Sequence, residues 1–185
     1  MTETLGDLRN RKLAKLFEIL DSNGDGVVSL DDFEEFGGRV ATVAGQRDAA
    51  KIAEMKNTLK MIWDEFESGA DGDNDRRVTE QEFIGSLLTP QATDPAKFIQ
   101  FVGLTCNLLF GIADTDGDGR ISEAEHMLVG REVMRLSDTE TAESFDKLDF
   151  WKRGYLTMDQ YVVAYTEFLT SSSSDSNGNW LLGKY

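Results

Sequence analysis

The sequence is poor in the residues that most catalytic and cross-linked scaffolds require. Among 185 residues there are one cysteine, one histidine and two prolines, and 19 basic side chains stand against 34 acidic ones. The lone Cys106 excludes an intramolecular disulfide, so nothing demands an oxidising compartment; it lies in the apolar run Phe101 to Phe110 and reads as a small buried hydrophobe rather than a reactive thiol. His126 alone leaves little room for a Ser-His or Cys-His pair, and the serines near the C-terminal end have no histidine close in sequence. The run Gly45 to Lys51 lacks the Gly-Lys-Ser/Thr ending of a phosphate loop. No enzyme is expected. A net charge of −15 and a pI near 4.4 set the chain against nucleic-acid backbones and anionic membrane surfaces. No stretch approaches 18 uninterrupted apolar residues, so no stable membrane insertion is expected. The first seven residues are acidic and carry no apolar run, which denies them the shape of a signal peptide and makes a cytoplasmic location the expectation; a monomer is expected as well.

What the chain does have is apolar content of 40% with 11 Phe, 3 Trp and 4 Tyr, enough to bury a core beneath the acid. It also has an internal repeat. Four loop-like segments begin at Asp21, Asp71, Asp114 and Asp149, each between apolar residues at helical spacing. Leu13, Leu16, Phe17 and Leu20 precede the first, and Phe33, Phe36, Val40 and Val43 follow it. Ile52, Met55, Leu59, Ile62, Trp63 and Phe66 lead into the second, with Phe83, Leu87 and Leu88 beyond. The third lies between Phe98, Val102, Leu108, Leu109, Ile112 and Met127, Leu128, Met134; the fourth lies between Phe145, Leu148 and Tyr161, Val162, Tyr165, Phe168, Leu169. The pattern predicts an all-α fold of eight helices in four helix-loop-helix units, with short strands pairing the loops. Both prolines, Pro90 and Pro95, fall between the second and third units, where Asp94-Pro95 reads as an N-cap and first helical residue. This divides the chain into an N-terminal pair over 1–89, a C-terminal pair over 94–170 and a tail over 171–185. Ser137 to Glu140 has capping-box spacing and is expected to open the seventh helix.

A hard cation such as calcium takes six to eight oxygens, which a twelve-residue loop supplies from positions 1, 3, 5, 7, 9 and 12 around a sharp turn at 6. The third loop meets each demand with Asp114, Asp116, Asp118, the Arg120 carbonyl, Ser122 and Glu125, with Gly119 at the turn and Ile121 placed to pair two loops. The first offers Asp21, Asn23, Asp25, the Val27 carbonyl, Ser29 and, one methylene short, Asp32. That shorter carboxylate favours lower coordination and magnesium competition. The second offers Asp71, Asp73, Asp75, the Arg77 carbonyl, Thr79 and Glu82, with Val78 at position 8; Arg76 stands where glycine normally makes the turn. The fourth keeps Asp149, Gly154 and Leu156 but places Trp151, Arg153 and Gln160 where ligands should be, so it reads as a structural partner of the third. Three calcium ions are expected, falling to two where Arg76 blocks the second loop.

With these loops in view, the chain resembles the invertebrate sarcoplasmic calcium-binding proteins and calexcitin over nearly its whole length. The loop closing on Asp32, the helix ending Leu59 to Asp64, the degenerate last loop and the ending Gly178 to Gly183 carry the likeness. The resemblance implies two EF-hand pairs packed face to face with the tail docked on them, and an intracellular calcium buffer or calcium-responsive signalling protein. Five methionines beyond Met1 are scattered rather than gathered into a calmodulin-like target groove. A carrier of a small apolar ligand, like the coelenterazine-binding proteins, stays open as an alternative, whereas the light-emitting relatives use several histidines and this chain has only His126, expected to be solvated or capping. The tail, a polar linker over Ser171 to Asn179 ending in Trp180, Leu181, Leu182 and Tyr185, is expected to plug the apolar face near Phe33, Phe36, Trp63 and Phe66.

Overall fold

Amphipathic stripes need a common core, and here they find it in two helix-loop-helix pairs. The computed structural model describes residues 5–43 and 49–185. The first residues, most of the Gly45 to Lys51 run and the side chains of Ile52 and Met55 lie outside the described residues. In chain order the elements are α1 (Leu5–Leu20), β1 (Val27–Val28), α2 (Leu30–Val43), α3 (Ala49–Ala70), β2 (Val78–Thr79), α4 (Glu80–Thr93), α5 (Pro95–Ala113), β3 (Arg120–Ser122), α6 (Glu123–Glu132), α7 (Asp138–Leu148), β4 (Tyr155–Thr157) and α8 (Met158–Thr170). A 3-10 turn, Asn177–Trp180, closes the chain. Antiparallel pairs join β1 to β2, with Val28 opposite Val78, and β3 to β4, with Ile121 opposite Leu156. These four position-8 residues are buried, so each loop pair is pinned to the core at its centre.

The apolar stripes fill two connected halves. In the first, Phe17, Phe83, Phe66, Trp63 and Phe33 form a chain of ring contacts with centroids 4.9 to 6.4 Å apart. In the second, Phe110 meets Tyr161 edge-on, and Cys106 is fully buried, its thiol pushed up to about 12 by desolvation. The halves join where α1 and α4 pack on α8 and where α2 packs on α6.

Two caps appear as the sequence predicts. Asp94 accepts from the Lys97 amide ahead of Pro95, and Ser137 and Glu140 form the reciprocal capping box of α7. The break between halves is narrower than expected, because α4 runs through Pro90 to Thr93 and only Asp94 separates it from α5. A proline removes one helical N–H, a small loss in the last turn of a helix already anchored elsewhere. α6 ends at Glu132, which leaves Met134 in the α6–α7 connection instead of on the helix. α5 averages a mean hydropathy of 1.5 over a membrane-length window, yet its Val102, Cys106, Leu108, Phe110 and Ile112 face the core of this helical body.

The tail docks, but not only by its apolar end. Leu181 and Leu182 are buried, whereas Trp180 is half-buried beneath Lys147 and Tyr185 is exposed beside Arg11. The linker expected to be too polar to pack is instead held by a fully buried lysine. Lys12 donates to the Ser171 carbonyl at 2.8 Å, the Asn179 Oδ1 at 2.8 Å and the Glu167 carbonyl at 3.3 Å. Desolvation, reinforced by Arg9 and opposed by Glu167, lowers Lys12 to about 8. Glu167 accepts from Ser176 Oγ and the Gly178 amide, and a Cβ at Gly178 would overlap the Ala164 carbonyl of α8. The tail therefore seats against α7 and α8 and reaches Phe33 and Phe36 only through its two leucines, at the wall of a shared internal cavity. Asn179→Ala, which strips one acceptor from a buried ammonium, is expected to lower the unfolding free energy by about 2 kcal/mol in urea titrations.

Candidate metal centre

Each loop starts as a helix ends, and the first aspartate turns the chain. Asp114 accepts from the amides of Gly117 and Gly119; Asp71 from Asn74, Asp75 and Arg76; Asp21 from Gly24, Asp25 and Gly26. One carboxylate thus replaces the helical partners that the reversing backbone gives up. The turn residue at position 6 lies in the left-handed region in every loop: Gly26 at φ 84°, Gly119 at 80°, Gly154 at 78° and Arg76 at 64°. Arg76 does make the turn, with its guanidinium 3.5 Å from Glu67. Sequence reasoning missed a second left-handed position, at 4, filled by Gly24, Asn74, Gly117 and Lys152. The glycines and asparagine at one fixed offset were its signal.

The twelfth residue closes the loop. Glu125 accepts from the Thr115 amide at 2.6 Å through Oε1 and from the Ser122 amide and Oγ through Oε2. Glu82 spans from the Gly72 amide to Thr79 in the same way. Asp32, although shorter, makes the identical span from the Ser22 amide to Ser29, and it is 2% exposed. In all three the side chain ties position 2 to position 9. Burial raises the Glu125 pKa, but the donors from Ser122 and Thr115 outweigh it and hold the group at about 2. Glu82 is lowered by its Thr79 and Gly72 donors; Asp71 is lowered by the Arg76, Asn74 and Asp75 amides against desolvation; and Asp73 is raised, chiefly by the neighbouring Asp75 charge.

Carboxylate oxygens converge accordingly. Those of Asp114, Asp116 and Asp118, and those of Asp71, Asp73 and Glu82, lie within 4.8 Å of one another. Like charges this close repel, and a cation of hard, oxygen-seeking character is what the donor set fits. The first loop has the same scaffold, with Asn23 Oδ1 receiving the Asp25 amide and Asp25 Oδ1 the Val27 amide. The carbonyls of Val27, Arg77 and Arg120 sit at or beside the paired strands. The fourth loop keeps the scaffold without the donors. Asp149 receives the Arg153 and Gly154 amides, and Gln160 Oε1 receives Thr157, but the buried Gln160 Nε2 has no hydrogen-bond partner among the described residues, where an acceptor would meet position 2. Trp151 is 53% exposed, with the Arg153 guanidinium 4.5 Å from its ring centroid. His126 is not solvated as expected. Its Nε2 lies 3.1 Å from Ser144 Oγ, its ring packs on Phe145, and desolvation lowers it to about 4.

The sequence profile of the EF hand family matches residues 13–37 and 107–125, which span the first loop and the third. The two matched segments are similar to EF hands, and the chain is similar over most of its length to the sarcoplasmic calcium-binding proteins. It is 26% identical over 177 residues to the alpha-B and -A chains of the sarcoplasmic calcium-binding protein of Penaeus sp., covering 88% of each chain. Calerythrin of Saccharopolyspora erythraea is 27% identical over 161 residues, or 85% of this chain and 89% of that protein. In fold, the chain matches the calcium-loaded apo coelenterazine-binding protein of Renilla muelleri with a TM-score of 0.75 at 22% identity, over 100% of both chains. At the sharp turn at position 6, Arg76 is the non-glycine residue in the left-handed region. Arg76→Gly is expected to raise the unfolding free energy by about 1 kcal/mol, read as a higher urea midpoint with an unchanged slope.

Proposed function

We propose that this EF-hand protein binds three calcium ions, in its first three loops, and acts in the cytoplasm as a calcium buffer or calcium-responsive protein rather than as an enzyme. The observation that carries the reading is the common closure by Asp32, Glu82 and Glu125, which the fourth loop's Gln160 does not complete. The ligands would be Asp21, Asn23, Asp25, Val27, Ser29 and Asp32; Asp71, Asp73, Asp75, Arg77, Thr79 and Glu82; and Asp114, Asp116, Asp118, Arg120, Ser122 and Glu125. The ion would neutralise carboxylates that the fold holds together; the protein's part is to preset the turn, position the twelfth side chain and lock loops in pairs. Asp32 leaves the first loop the one most open to magnesium.

Buffering over helix capture is supported by the tail. Leu181 and Leu182 share an internal apolar cavity with Phe33, Phe36 and Phe83, and the space left is about 90 Å³. Ligand pockets run to about 300 Å³ and more, so this space is small for a cofactor-sized ligand. A second reading, carriage of a small apolar ligand, draws on a different place: a surface groove of about 460 Å³ between α3, α4 and α5, walled by Phe66, Phe98, Phe101 and Leu104. Stoichiometric uptake of an apolar dye there, abolished by Phe101→Ser, would favour carriage.

Calorimetric titration should give three calcium events, with millimolar magnesium weakening the first loop most. Glu125→Gln should remove the tightest event, and chelation should lower the melting temperature. Loss of an event in Asp149→Asn with none lost in Glu125→Gln would overturn the assignment.

A further inference from the structure

The second residue of the first loop is held from both halves of the molecule. Ser22 donates its amide to Asp32, accepts Arg39 Nη1 on its Oγ at 2.9 Å, and accepts Arg135 Nη1 on its carbonyl at 3.1 Å. Arg39 also donates to the Ile19 carbonyl at 3.0 Å, so α2 and the end of α1 are its frame. Arg135 comes from the other half. It lies in the α6–α7 connection, and its second arm meets Glu35 of α2 at 2.6 Å. Arg135 has φ 56°, a left-handed backbone that an arginine adopts only where its surroundings fix it. Those surroundings are Val133, Met134 and Leu136, all buried, with the Leu136 amide bonded to the Gly130 carbonyl. Gly130 in turn presses so closely on Thr141 of α7 that no Cβ fits.

At its other end, α6 begins inside the third loop: Glu125 is its third residue and receives Ser122 and Thr115. α6 is a ten-residue helix, and the Arg135 fork lies in the connection just past its far end. We propose that Arg135 is a positioning residue that couples occupancy of the third loop to the cation affinity of the first, across the boundary between the two EF-hand pairs. The inference rests on the calcium reading above. The pairing of β1 with β2, and of β3 with β4, already explains coupling within each half; the Arg135 bridge supplies the link between halves that neither strand pair provides.

A double-mutant cycle tests it. Calcium affinity of the N-terminal loops is measured by calorimetry in the full chain, in Glu125→Gln, in Arg135→Ala and in the double variant. Glu125→Gln should weaken the N-terminal loops by about fivefold or more in the native background and by less than about twofold in the Arg135→Ala background. Glu35→Gln, which removes the carboxylate met by Arg135 and by Arg39, should reduce the coupling in the same direction, and Arg135→Lys, with one donor point instead of a fork, should retain only part of it. Equal effects of Glu125→Gln in both backgrounds, or none in either, would overturn the proposal while leaving the three-site reading intact. A native chain that takes up no calcium would overturn that reading instead. Should Arg135→Ala fail to fold, the Glu35→Gln cycle decides the question by the same criterion.

Discussion

The interaction on which the rest depends is the bridge from the twelfth loop residue back to the second. Glu125, Glu82 and Asp32 each belong to the first turn of a helix, yet each accepts from an amide at the loop's beginning. The bridge fixes the entering helix against the leaving one, and through position 9 it also caps the leaving helix. With the loop closed, the chain at position 8 is extended and aimed inward, which is why Val28, Val78, Ile121 and Leu156 can pair across loops and remain buried. A cation adds to this arrangement by relieving the repulsion among carboxylates that the closure concentrates.

The fourth loop separates scaffold from ligand set. It retains the Asp149 turn, the Gly154 conformation, the capping contact of Thr157 with Gln160 and the strand opposite β3. Gln160 copies half of the glutamate bridge, leaving an amide nitrogen where an acceptor is needed. Aromatic and cationic side chains at Trp151 and Arg153 then use the exposed rim for a stacking contact. The third loop thereby keeps a partner for its strand although the two loops differ in charge.

Much of this was legible in the sequence because it rests on local spacing. Loop offsets, the position-8 residues, the Ser137 capping box and the Asp94-Pro95 helix start all follow from contacts within a dozen residues. What escaped depends on distant neighbours. Lys12 looks like one more surface lysine until the Ser171 and Asn179 acceptors, more than 150 residues away, surround it. The polar linker packs because Lys12 and Glu167 satisfy it, not because it is apolar. His126 turned inward because Ser144 and Phe145 of the next helix meet it, and Arg135 gave no sign of its contact with the first loop. Pro90 falls between the units in sequence, yet α4 runs through it to Thr93.

Net charge shapes the chemistry without choosing the fold. The excess of acid is spread over the surface and concentrated at three turns, where backbone amides already hold many of the oxygens in place. Anomalous diffraction from crystals grown with calcium tests this most directly. Three peaks are expected, each about 2.3 to 2.6 Å from the carboxylate oxygens of the first, second and third loops, with none in the fourth. A peak beside Asp149, or an empty third loop, would contradict the account.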